Sequence, residues 1–106
     1  MIQKMVFHHV AVQVAHISEG IEWYTANMGA TCSYQDETWA LMDIGGTNIA
    51  LVLPDQHPPH IAFECDHAEQ FGSLKGHRDG TSSTYIRDPF GNTLELLKIP
   101  REERRQ

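Results

Sequence analysis

One short passage of this 106-residue chain occurs twice, and that repetition restricts the possible folds more than any other feature. From His9 the sequence reads His-Val-Ala-Val-Gln-Val, and from His60 it reads His-Ile-Ala-Phe-Glu-Cys. Both copies put His first and Ala third, and Val10, Val12 and Val14 match Ile61, Phe63 and Cys65. An extended chain points successive side chains to opposite faces, so apolar residues at every second position predict a strand with one face in a core. His9, Ala11 and Gln13 then share the opposite face, as do His60, Ala62 and Glu64. The copies also close alike, the segment 43–52 paralleling 88–97. Aligned on Gly46 and Gly91, Ala50 falls where Glu95 does. The repeat therefore nominates four related positions, His9, Ala50, His60 and Glu95, and three of them carry metal-ligating side chains.

The spacing of elements supports two halves of the same design. A first strand over 5–14 leads to a helix, with Ser18 as its cap, Ile21, Tyr24 and Met28 on its apolar side and Gly29 as its stop. Strands are expected over 31–35, 38–44 and 48–53, with Gly45-Gly46 turning between the last two. Residues 54–59, with consecutive prolines, predict an extended, stiff linker. The second half then repeats the order. A strand over 60–65 precedes a short helix opened by Asp66 and Glu69, with Ala68, Phe71 and Leu74 buried and Gly72 and Gly76 ending it. A hairpin over 81–87 and 93–99 closes the chain. The fold class is α+β: two βαβββ repeats, 5–53 and 60–98, forming curved mixed sheets with helices outside.

Bulk properties exclude several functions. The length suits one domain. A net charge of -6 and a pI near 5.5 argue against nucleic acid, whose recognition needs a clustered basic face. Arg101, Arg104 and Arg105 share their tail with Glu102 and Glu103, which reads as a solvated end. No apolar run approaches the roughly 20 residues of a membrane span, and no signal-peptide core precedes the first strand. Two isolated cysteines make no disulfide framework, so a cytoplasmic protein with reduced thiols is expected, Cys65 being core.

Two neutral imidazoles and a carboxylate bind first-row divalent metals, and positions left open by the protein make such a site catalytic. A lone strand histidine is ordinarily a core or surface residue. Two at equivalent positions, with Glu95 at a third, point instead to a metal centre. Without a cation, a buried Glu95 would have to be protonated or paired with an arginine. His8 faces away from His9. His57, His67 and His77 fall in loops or at a helix start, His77 being the best of them as a base. Trp23 and Trp39 are expected in core or interface packing.

The segments His9-Val-Ala-Val-Gln-Val, His60-Ile-Ala-Phe and Tyr85-Ile-Arg-Asp-Pro-Phe-Gly-Asn-Thr-Leu-Glu95 resemble the vicinal oxygen chelate superfamily of glyoxalases, bleomycin-resistance proteins and extradiol dioxygenases. That resemblance implies an enzyme holding a divalent metal (Fe, Mn, Zn, Ni or Co) through His9, His60 and Glu95, which a small substrate chelates with two adjacent oxygens. It implies a homodimer with sites at the subunit interface, where His9 would meet His60 and Glu95 of the partner chain. Glyoxalase I places a fourth ligand where this chain has Ala50, so the three-ligand pattern is closer to fosfomycin-resistance transferases and extradiol dioxygenases. In those groups a tyrosine at the position of Tyr85 lies near the substrate. Ser83, Lys75 and Arg78, with Ser82 and Arg104 as further candidates, would hold an anionic part of the substrate. Ala11, where fosfomycin enzymes carry Thr, departs from them. The alternative implied by the same resemblance is a non-catalytic protein that sequesters a small molecule.

Overall fold

The computed structural model describes residues 5–100, so the arginines at 101, 104 and 105 lie outside the described residues. By contacts the chain forms two compact units, one of His9–His60 and one of Ile61 onward together with the residues up to His8.

In the first unit, the part of β1 (Val6–Gln13) from His9 onward lies parallel to β4 (Thr47–Val52), with Val10 opposite Ile49 and Ala11 opposite Ala50. Antiparallel pairings add β3 (Trp39–Ile44) to β4 and β2 (Thr31–Gln35) to β3. One helix, α1 (Ile17–Met28), packs on the resulting sheet. Its start differs from expectation. Ser18 lies inside the first turn, and the N-cap residue is His16, which makes no side-chain cap bond. Helix entry is secured instead by burial of Ile17 and by close packing at Gly20. A Cβ on Gly20 would stand 3.1 Å from Val14 Cγ1 and 3.2 Å from Leu51 Cδ1, so only glycine lets helix and sheet approach this closely without neighbours yielding. Gly29 ends the helix as expected, in the left-handed conformation at φ 66° that glycine adopts without steric cost.

The core beneath α1 joins Ile17, Ala30, Ala40, Met42 and Leu51, with Val12, Val14, Ile21 and Tyr24 against it. Met42 and Leu51 are fully buried, each removing side-chain surface that stabilises by roughly 1.5–3 kcal/mol. A second cluster holds the small residues Ala11 and Ala50 with Val52, Trp39 and Leu41. Trp23, expected to be packed, is 54% exposed beside Tyr24.

In the second unit, β5 (His60–Glu64) runs from Ile61 onward parallel to β8 (Thr93–Lys98), and β7 (Ser82–Arg87) lies antiparallel to β8. A two-residue strand, β6 (Lys75–Gly76), pairs with β7 and was too short to show as a periodicity. The second helix is reduced to one 3-10 turn, Ala68–Gln70, and Asp66 is not its cap. The two glycines at 72 and 76 and the immediate pairing of Lys75 with Ser83 leave no length for another turn. Ala68 is buried with Cys65 and Leu96, and Leu74 and Ile86 pack on them. So small an element covers little, and Ile61 and Phe71, both expected in the core, are 41% and 42% exposed. The expected stiff linker likewise contains a turn, with Gln56 and His57 N–H groups donating to Leu53 O.

Among the described residues, no helix is long and apolar enough to cross a membrane. Both cysteines are free thiols, Cys65 buried and Cys32 partly so.

Candidate functional site

In the first unit the repeated histidines come together. His9 and His60 are both buried, at 7% exposure, and their rings lie edge to face with centroids 5.5 Å apart. The two repeat-equivalent histidines therefore lie side by side within a single chain. His60 is held further. Its Nδ1 lies 2.7 Å from Pro58 O, and only a protonated ring nitrogen can bond a carbonyl. Nδ1 thus carries the hydrogen, and in the neutral ring Nε2 keeps its lone pair. This is the outer contact that characteristically orients a metal-ligating imidazole. The backbone supplying it is pinned in turn, because Gln13 Nε2 donates to His57 O at 3.1 Å.

Ala11 and Ala50 lie opposite each other at the same level of the sheet, 2% and 1% exposed. Neither carries a group able to ligate or to move a proton. The His57 ring is 6.5 Å from that of His60, and His8 is partly buried one residue away from His9.

In the second unit the antiparallel register sets Tyr85 directly opposite Glu95, with Ala62 on the other side of Glu95. Ser83 opposes Leu97 and so stands diagonal to Glu95, within reach across the ladder. Its hydroxyl donates to Glu95 Oε2 at 2.6 Å, and both residues are buried. His77 Nε2 lies 2.7 Å from Ser83 Oγ and 3.6 Å from the same carboxylate oxygen. Burial, and next the negative charge of Glu95, push the Tyr85 phenol well above its ordinary pKa. Tyr85 therefore keeps its O–H at neutral pH and offers a donor. Its side chain is 39% exposed.

Ser83, placed by the sequence among substrate-holding residues, is 4% exposed and engaged with Glu95. Lys75 and Arg78 lie on the surface, Lys75 on β6 opposite Ser83 and Arg78 in the turn that follows. The His77–Ser83–Glu95 chain was not foreseen. Pairing the two hairpin strands evenly about residues 88–92 would have found it, since that opposes Tyr85 to Glu95 and places Ser83 one diagonal away.

Residues 6–77 match the family model of the Glyoxalase/Bleomycin resistance protein/Dioxygenase superfamily. Among solved structures, methylmalonyl-CoA epimerase from Mycobacterium tuberculosis is similar at TM-score 0.75 and 16% identity, covering 95% of this chain and 92% of that one. A Streptomyces coelicolor methylmalonyl-CoA epimerase variant in complex with 2-nitronate-propionyl-CoA is similar at TM-score 0.68 and 14% identity, covering 91% and 99%. A superfamily member from Vibrio splendidus 12B01 is similar at TM-score 0.64 and 10% identity, covering 92% and 99%. No curated protein matches the sequence. At these identities the likenesses establish the fold.

Proposed function

The chain belongs to the glyoxalase/bleomycin resistance protein/dioxygenase superfamily, and from that premise we propose that it is a metal-dependent enzyme acting on a small molecule with two adjacent oxygens. His9, His60 and Glu95 supply the donors for one divalent cation, two imidazole nitrogens and a carboxylate oxygen. The observation that carries this reading is the His60 ring, oriented through Nδ1 by Pro58 O and packed against the equivalent histidine of the first repeat. The donor set fits such an ion: borderline nitrogen ligands and one hard oxygen, all buried, suit Mn, Fe, Co, Ni or Zn.

Bound there, the cation would act as a Lewis acid toward the substrate oxygens. The protein's own groups do the rest. The Tyr85 O–H, opposite Glu95 and held in its protonated form, donates to an oxygen on which negative charge develops. Lys75 and Arg78 attract an anionic group of the substrate from the surface. Ala50 moves no proton, which favours an addition, cleavage or oxygenation over epimerisation despite the epimerase-like fold. We further propose a homodimer located in the cytoplasm, where its two free thiols stay reduced.

Calorimetric titration of wild type and Glu95→Gln with Zn²⁺, Mn²⁺, Co²⁺ and Ni²⁺ tests the reading. Loss of the ligand charge should weaken binding by more than about 100-fold, beyond the roughly 10–100-fold typical of outer contacts. Unchanged affinity in Glu95→Gln removes Glu95 from the ligand set. Reconstitution with Fe²⁺ without air, followed by oxygen-uptake measurements, separates oxygenation from transfer or lyase chemistry. Tight binding of small molecules without turnover under any metal would favour sequestration.

A further inference from the structure

We propose that Ser83 and His77 form a positioning relay that fixes the orientation of the Glu95 carboxylate as a metal ligand. The inference rests on Glu95 being a ligand, but it adds residues and a function beyond that reading. Ser83 has one hydroxyl hydrogen, and at 2.6 Å from Glu95 Oε2 it is directed there. With that hydrogen committed, Ser83 Oγ can only accept from His77, whose Nε2 at 2.7 Å must carry a hydrogen. The chain of donors runs one way: His77 Nε2–H to Ser83 Oγ, and Ser83 O–H to Glu95 Oε2. A carboxylate has two oxygens and a nearly two-fold torsion, so unassisted it presents either oxygen or both. The relay anchors Oε2 and so fixes the rotation of the carboxylate.

The geometry is built into the fold. Ser83 is held at its place by pairing of β7 with β6 as well as with β8. His77 directly follows β6, and its backbone N–H donates to Thr81 O at 2.8 Å, closing the loop that aims the ring at Ser83. A serine and a histidine six residues apart thus meet because the two-residue strand β6 folds the loop back on β7.

The test compares wild type with Ser83→Ala, Ser83→Thr, His77→Phe and His77→Gln, each titrated with Zn²⁺ and Co²⁺ alone. Near-UV circular dichroism of the metal-free proteins checks that they fold. Ser83→Ala should weaken metal binding about 10–100-fold, and His77→Phe about 10-fold. Ser83→Thr keeps the hydroxyl, and His77→Gln places an amide N–H near the position of Nε2, so both should return binding to within about three-fold of wild type. The d–d spectrum of the Co²⁺ forms should change in Ser83→Ala, reporting a changed ligand geometry, whereas a purely structural serine would leave it alone. Wild-type affinity and an unchanged spectrum in Ser83→Ala, alongside lost binding in Glu95→Gln, overturn the relay while leaving Glu95 a ligand. Absence of binding in wild type overturns both.

Discussion

The β2–β3 connection depends on one carboxylate, and its contribution should disappear in a defined range of acid. Asp36 accepts hydrogen bonds from Tyr34 O–H at 2.7 Å, from the Thr38 N–H at 2.7 Å and hydroxyl at 3.0 Å, and from the Trp39 N–H at 3.0 Å. Partial burial raises the carboxyl pKa, but these four donors outweigh it and hold the group at about 2, against an ordinary 3.8. At about 1.36 kcal/mol per pH unit, that difference corresponds to roughly 2.4 kcal/mol. Solvent access to this carboxylate screens the interaction and lowers the expected figure to about 1–2 kcal/mol. The folded-state pKa lies below the unfolded one, so the contribution is complete above about pH 4 and is lost as pH falls toward 2. Asp36→Asn keeps the shape and one acceptor oxygen but removes the charge. Urea unfolding followed by circular dichroism should place the variant about 1–2 kcal/mol below wild type near pH 6, the two converging near pH 2. A gap that is equally large at both pH values would refute the reasoning, since it would then stem from packing rather than from charge.

The core makes simpler predictions. Leu51→Ala, at a fully buried position under α1, should cost about 2–5 kcal/mol by lost burial and the cavity left behind, read from the same urea midpoints. Gly72→Ala would bring a Cβ within 2.6 Å of Thr84 Oγ1 and should cost about 1–3 kcal/mol, and a double-mutant cycle with Thr84→Ala should recover most of it. Gly91→Ala, at φ 88° in the β7–β8 turn, should lower stability by about 1–2 kcal/mol through backbone strain alone. Sedimentation at micromolar concentration should give twice the chain mass if the proposed homodimer forms.

The repeat made the architecture legible because alternation and turn chemistry are local. Each strand expected from period-two patterning is present, and Gly29 and Gly45-Gly46 stop and turn the chain where their composition says they should. What escaped was decided by tertiary contact. Asp66 and Glu69 spelled a helix start, yet the chain is recruited into β6 before a helix can propagate, and one 3-10 turn remains. With so little above it, Ile61 stays exposed although its pattern matches that of buried strand residues. For the site, the repeat singled out His9 and His60, whose rings lie 5.5 Å apart in one chain, whereas the resemblance implied that they meet across two. Ser83, expected to hold an anionic part of the substrate, lies on β7 with its hydroxyl bonded to Glu95. Only the diagonal of an antiparallel ladder reveals that its hydroxyl points at Glu95.

Elemental analysis of the protein purified without chelator tests the metal centre most directly. A site made of His9, His60 and Glu95 predicts about one equivalent of a first-row divalent metal per chain, removable by chelation and restored by added ion. Less than about 0.2 equivalents, with none taken up when Zn²⁺, Mn²⁺, Co²⁺, Ni²⁺ or Fe²⁺ is supplied, would contradict it.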